Sequence, residues 1–304
     1  MKQSTIKLPI TFDGVGLHSG VKNKIKITPA PANTGIIFKF KNDTITARYS
    51  NSCDSILSSA LSNGRSKLYT VEHLLASLYA LKIDNVMIES EENEIPILDG
   101  SAILFAKEIV SSGIRFLDAP KRMMIIKKEV SFKINDSYAI VRPADSFLIK
   151  YTIDFKSRLI GKQSHFININ PKSFIEEIAP ARTFCEYRDV ERLQSLGLIK
   201  GGNLDNAIVV DDTRLLNDKP LRFINEFVRH KILDAIGDIS LLGYDVLGEF
   251  EFYKAGHNIN RRFVGNILSD KSNYEIVDTI DYKLEEEEDY LLALAKIPEL
   301  TTSK

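Results

Sequence analysis

The stretch Thr70–Lys82, TVEHLLASLYALK, constrains the fold more than any other. It reads as a helix, and after Glu72 and His73 its apolar residues Leu74, Leu75, Leu78, Tyr79 and Leu81 fall on nearly every side. A helix that is apolar all round is buried on most of its surface. Its adjacent Glu72–His73 pair then sits at the edge of a core. Near a helix start the positive dipole end favours an ionised Glu72 and disfavours a protonated His73. A neutral imidazole is the form that binds a metal. The plainer alternative has His73 bonded to a neighbouring loop and Glu72 capping the first turn.

A second helix is expected over Phe227–Gly243, FVRHKILDAIGDISLLG. Val228, Ile232, Ala235, Ile236 and Ile239 share one arc, while His230, Asp234 and Asp238 fall at i, i+4 and i+8 on the other side with Lys231 beside them. A His and an Asp four residues apart reach one point in front of a helix, so this is a two-ligand metal clip or a solvated face with a weak ion pair. Asp238, one turn on, is placed to orient a ligand or a catalytic His. Two His and one carboxylate, His73, His230 and Asp234, leave a fourth position open, which is the pattern of a catalytic zinc site. Zinc in such a site lowers the pKa of bound water to about 7, and Glu72 is placed to take its proton.

Three further segments carry candidate chemistry. In FYKAGHNINRR, His257 follows a strand and a Gly, and we expect it on a loop at a strand end, where sites gather; the alternative is a solvated loop His. Thr183 sits ahead of a helical pattern, where its hydroxyl either caps the helix or donates to an oxyanion. Arg182, Arg188 and Lys200 add positive charge to that region. DGVGLHSG (Asp13–Gly20) places His18 among three Gly, a turn able to approach a ligand closely or merely a hairpin.

With 304 residues the chain has room for one large domain or two of ordinary size. Lys plus Arg number 40 against 41 Asp plus Glu, so the net charge of −1 argues against nucleic acid or an anionic membrane as the main partner. No apolar run approaches the ~18 residues that span a bilayer, and the N-terminus lacks a signal-peptide core. Cys53 and Cys185 form no CxxC or Cys-rich framework, which points to a reduced, cytoplasmic protein. No coiled-coil or short repeat pattern is visible, and a monomer is expected. In each half a His-bearing helix follows a strand-rich segment and is followed by a strand, a weak internal duplication. Phe116–Met124, with a Pro and a charge run, is the expected linker. The acidic run KLEEEED is expected to be a solvated helix or loop.

The motifs GVGLHSG, TVEHLLASL, IDNVMIE, NEIPILDGSA, ARTFCEYRDVERLQSLGLIKGGNLDNAIVV, LRFINEFVRHKILDAIGD and YKAGHNIN occur in this order. Together they resemble the UDP-3-O-acyl-N-acetylglucosamine deacetylases, zinc-dependent amidases of lipid A biosynthesis in Gram-negative bacteria. The resemblance spans nearly the whole chain. It implies an α+β fold of two related α/β domains, residues 1–118 and 124–304. Each is a small sheet backed by helices, with the active site at the interdomain cleft. It implies His73, His230 and Asp234 as zinc ligands, one zinc per chain, although such donors also accept iron(II). Glu72 matches the general base, His257 the general acid, Asp238 the carboxylate orienting it, and Thr183 the hydroxyl facing the oxyanion. Phe184, Lys231 and Lys254 match contacts to the UDP portion, and His18 a His close to the substrate. Two departures stand out. Glu186 occupies a position where the family commonly has an aromatic or apolar residue near the acyl chain, and Lys156, Ser157 and Arg158 replace a common HP-containing run. The implied substrate is a UDP-sugar with one acyl chain. The contrasting readings are an amidase for another UDP-sugar and a non-catalytic zinc-containing nucleotide-sugar sensor; Glu72 and His257 count against the sensor, since binding needs neither base nor acid.

Overall fold

Alternation of apolar and polar side chains sets the sheets. Along Lys22–Pro29, Asn23, Ile25 and Ile27 are buried while Lys24 and Lys26 face outward; along Phe147–Asp154, Phe147, Ile149, Tyr151 and Ile153 turn inward. The computed structural model describes residues 1–279. The acidic run and the rest of the expected second domain up to residue 304 lie outside the described residues.

The first half begins with β1 (Lys2–Ile6) and two hairpins, β2 (Ile10–Val15) with β3 (Lys22–Pro29) and β4 (Ile36–Phe40) with β5 (Asp43–Thr46). A small sheet of β6 (Ser52–Cys53), β7 (Ala60–Ser62) and β8 (Lys67–Tyr69) follows. Then come α1 (Glu72–Ala80), β9 (Val86–Ser90), α2 (Ile103–Ser111) and β10 (Ile114–Pro120), which returns antiparallel to β1. Strand β9 enters between the hairpins, antiparallel to β3 and parallel to β4, so the sheet order is β2-β3-β9-β4-β5.

The second half opens on β11 (Arg122–Ile126), followed by the hairpins β12 (Val130–Ile134) with β13 (Ser137–Arg142) and β14 (Phe147–Asp154) with β15 (Lys162–Asn168). A segment of α3 (Pro171–Ser173), a π-turn, β16 (Phe184–Glu186), α4 (Tyr187–Ser195) and β17 (Ile208–Val210) comes next. The half closes with α5 (Glu226–Ile239), β18 (Asp245–Tyr253), α6 (His257–Ser269) and β19 (Tyr274–Asp278). Strand β18 is antiparallel to β13 and parallel to β14. The run β12-β13-β18-β14-β15 thus repeats the first sheet strand for strand, with β11 and β19 added beside it. The duplication is a complete unit: hairpin, hairpin, helix, strand, helix. In each half the non-repeated segment is inserted at the same point, between the second hairpin and the His-bearing helix.

Helices α1 and α5 are equivalent in the two units, and they pack on each other. Every residue of α1 except Tyr79 is buried, and every residue of α5 except Arg229 and Lys231. The polar row His230, Asp234 and Asp238 is therefore buried rather than a solvated face: α1 packs along α5, and Ser59, His257 and Asn260 engage Asp238. The two backbones touch at Gly237, where a Cβ would lie 2.3 Å from the Glu72 carbonyl oxygen. Leu74 and Leu78 of α1 and Ile232 and Ile236 of α5 join one apolar cluster with Ile25, Ile88, Phe250 and Phe252 of the two sheets.

Several expectations need correction. Phe116–Met124, the expected linker, is not irregular chain but strand on both sides of Lys121. Its charge is not solvated either: Lys121 is buried, its Nζ 2.8 Å from Asp84 and 3.0 Å from Asp245, one carboxylate from each half. His257 is not on a loop; it is the first residue of α6. Thr183 is separated from α4 by β16, so it caps no helix. The helix from Phe227 stops being α-helical at Ile239 and ends in a 3-10 turn closed by Gly243 at φ 77°. Among the described residues no helix is long and apolar enough to cross a membrane.

Gly237→Ala is expected to lower unfolding stability by about 1–3 kcal/mol through overpacking, although Ala is the better helix former. Denaturant unfolding checks this, and an unchanged midpoint would contradict the backbone contact.

Candidate metal and active site

The α1–α5 contact places the start of one helix against the middle of the other. One ligand atom each from His73, His230 and Asp234 lies within 4.8 Å of the others, and all three residues are buried. Asp234 Oδ1 is 3.4 Å from His230 Nε2 and 3.7 Å from His73 Nε2. These are close to the separations of neighbouring ligands on one ion, about 3.4 Å for tetrahedral bonds of about 2.1 Å. The Oδ1 atom is buried and accepts no hydrogen bond, a costly arrangement that a cation relieves. Burial opposes the charge on Asp234, but Lys231, His230 and His257 outweigh it and hold the carboxyl well below the usual range. His230 Nδ1 lies 3.1 Å from the Ala181 carbonyl, which can only accept, so Nδ1 carries the proton and Nε2 offers its lone pair. Burial pushes His230 down to about 3, which keeps the imidazole neutral. The residues therefore fit a divalent metal ion.

A second constellation borders the first. Glu72, at the first position of α1, has Oε1 3.8 Å from His257 Nε2, and its Oε2 accepts the Ser59 backbone N–H at 3.0 Å. Burial raises the Glu72 carboxyl against the pull of His257 and His73. His257 Nδ1 donates to Asp238 Oδ2 at 3.0 Å. Burial opposes its protonation, but Asp238, Asp234 and Glu72 outweigh that and lift it to about 9. A proton acceptor and a charged proton donor thus face each other beside the triad, the arrangement of general acid–base chemistry.

Both groups open into a cavity of about 780 Å³. The two inserted segments build much of its wall, through Leu57 from the first and Thr183, Phe184, Tyr187 and Leu193 from the second. Phe184 packs edge-on to Phe155 and Phe227, with ring centres 5.5 and 5.0 Å away. His18 lines the cavity too, with both ring nitrogens buried and unpartnered, and burial lowers its pKa. Lys231 also lines it, but its Nζ is 2.6 Å from Asp234 Oδ2. Lys254 is not brought in: its Nζ turns to Asp136 and Asp154, 3.0 and 3.1 Å away. Glu186 lines the cavity with both oxygens against Arg188 Nη2, at 2.7 and 2.8 Å.

The sequence matches the UDP-3-O-acyl N-acetylglycosamine deacetylase family over residues 3–269. The chain belongs to that family. It is 42% identical over 289 residues to the UDP-3-O-acyl-N-acetylglucosamine deacetylase of Campylobacter fetus subsp. fetus, covering 94% of this chain and 98% of the relative. It is 44% identical over 288 residues to the protein of the same name from Myxococcus xanthus, covering 93% and 91%. With that of Nautilia profundicola it shares 42% over 279 residues, covering 91% and 95%.

Within this deacetylase-family site, several groups escaped the sequence reading. Ser59 is the foremost: its N–H holds Glu72, its Oγ donates to Asp238 Oδ1 and also lies 3.0 Å from His257 Nδ1. Its partners are distant in sequence, so no local pattern marks it. Asn260 donates to Asp238 Oδ2 at 2.8 Å; three residues after His257 on one helix, it was detectable once that helix is known. Arg182, expected to add positive charge to its region, is buried on Glu226, donating at 2.8 and 3.1 Å while its own N–H reaches the same carboxylate at 3.0 Å. That pair fixes the backbone between Ala181, which orients His230, and Thr183.

The purified chain is expected to bind one divalent transition-metal ion. Asp234→Ala should abolish this and Asp238→Ala should leave the stoichiometry at one, as read by metal analysis after dialysis. Retention in Asp234→Ala would remove that carboxylate from the ligand set.

Proposed function

We propose that this chain hydrolyses the acetamido group of UDP-3-O-acyl-N-acetylglucosamine to the free amine and acetate, an early step of lipid A biosynthesis. His73, His230 and Asp234 would hold one zinc ion, with iron(II) suited to the same donors. The observation that carries the reading is the Glu72–His257 pair, 3.8 Å apart beside the buried triad. A metal-binding sensor has no use for a base and a charged acid set against each other.

An amide is a poor electrophile with a poor leaving group. When bound, the zinc ion supplies a Lewis acid for the acetyl carbonyl and makes water acidic enough to be deprotonated near neutral pH. Glu72, raised by burial, takes the proton from the attacking water. Its second oxygen stays fixed by the Ser59 N–H. The Thr183 hydroxyl, at the cavity wall, donates to the carbonyl oxygen as negative charge builds there. The amine cannot leave as an anion, so His257 protonates it, and Asp238 keeps the imidazole charged and aimed. The apolar wall with Leu57 and Leu193 suits an acyl chain, Phe184 and Lys231 would contact the UDP portion, and His18 would lie close to the substrate. Lys254 has no part in this reading. Both cysteines are free, which supports a reduced, cytoplasmic setting.

The test is acetate release from UDP-3-O-acyl-N-acetylglucosamine, which should stop with a zinc chelator and return with added zinc. A folded, metal-loaded chain that releases no acetate would overturn the proposal. Glu72→Ala should keep its metal and lose turnover by about 10²–10⁴-fold; equal loss of metal would make Glu72 a ligand instead.

A further inference from the structure

Glu94 lies outside every role assigned so far, yet its carboxylate is buried, with 3% of the residue exposed. Its Oε1 accepts the His18 N–H at 2.8 Å and the Thr70 hydroxyl at 3.0 Å, and its Oε2 accepts the Ser19 N–H at 2.7 Å. The carboxylate therefore clasps two segments. One is the Gly-rich turn carrying His18; the other is the approach to α1, two residues before Glu72. Space for it exists only because residue 16 is Gly, since a Cβ there would fall 2.4 Å from Glu94 Oε2.

The far side of the turn is held by the second half of the molecule. Lys200 N–H donates to the His18 carbonyl and Gly201 N–H to that of Leu17, both at 3.1 Å. A Cβ on Gly201 would meet the Gly16 carbonyl at 2.2 Å, so these backbones are in contact. The turn is gripped on both faces through its main chain. Its one ring-bearing side chain, His18, is left buried at the cavity wall with neither nitrogen engaged by protein. A neutral imidazole so placed offers one donor and one acceptor to whatever fills the cavity.

We infer that Glu94 is a positioning residue that fixes the His18 imidazole for contact with the substrate. This rests on the function proposed above. The choice of a carboxylate has a physical reason: three donors converge on two oxygens, and only an acceptor-only group satisfies all three. Glu94→Gln keeps the volume but turns one oxygen into an N–H₂ that faces a donor, so at least one grip on the turn is lost.

The experiment is a double-mutant cycle with Glu94→Gln, His18→Ala and the pair, read as KM and kcat for UDP-3-O-acyl-N-acetylglucosamine, with metal content measured alongside. Glu94→Gln should raise KM by on the order of tenfold, with a smaller change in kcat and one metal retained. In the His18→Ala background it should add little, because the ring it positions is gone. Gly16→Ala, which crowds the carboxylate without altering it, should show the same dependence on His18 and serves if Glu94→Gln fails to fold. Independent, multiplying effects of Glu94→Gln and His18→Ala would overturn the inference. A wild type without turnover would overturn the proposed function alone. The clasp is then decided by the His18 ring resonances, readable in a chain with five His, which must shift in Glu94→Gln if the inference holds and stay fixed if it does not.

Discussion

The contact of Gly237 with the Glu72 carbonyl is the constraint on which the rest of the site depends. Only a residue without a side chain lets the two central helices meet backbone to backbone. That closeness sets the ligand atoms of His73 and Asp234 3.7 Å apart and brings Glu72 within 3.8 Å of His257. Ion pairing alone is a poor explanation for the assembly, because burying carboxylates and imidazoles together carries a large desolvation cost. The apolar sides of both helices, locked into the sheets on either side, offset that cost and hold the polar groups in place.

Duplication supplies the platform and asymmetry supplies the chemistry. Both units place an equivalent helix at the centre, but one contributes a His and a Glu from its first turn and the other a His and two Asp along its length. The insertions sit at the same position in the two units and differ completely. One is a short three-stranded sheet and the other a longer stretch of helix and paired strand. Between them they build much of the cavity wall beside His73, His230 and Asp234.

Apolar residues all round α1 and the two-faced pattern of α5 made both helices legible, and the i, i+4 spacing marked His230 and Asp234, which the helix contact brings together with His73. What stayed hidden has local causes. The helix α6 begins with polar residues, and its buried positions, Asn260, Phe263, Val264 and Ile267, start three residues after His257, so the His looked like part of a loop. Lys121 made a strand junction look like a solvated linker, because the carboxylates that neutralise it lie far away in the chain. Ser59 carried no signal at all. Lys254, matched by resemblance to the substrate, is engaged by Asp136 and Asp154, and no reading of spacing reveals such partners.

His257 comes from one unit and Glu72 from the other, and no single element carries both. Ser59, in the first unit's insertion, ties them: its N–H holds Glu72 and its side chain reaches Asp238 and His257 of the second unit. The 3.8 Å between His257 and Glu72 is therefore a property of how the halves dock, not of either half. A slip of about 1 Å in such an arrangement costs on the order of a hundredfold in rate. Turnover in this chain consequently works as a gauge of docking: anything that loosens one unit against the other is read out chemically before either unit unfolds.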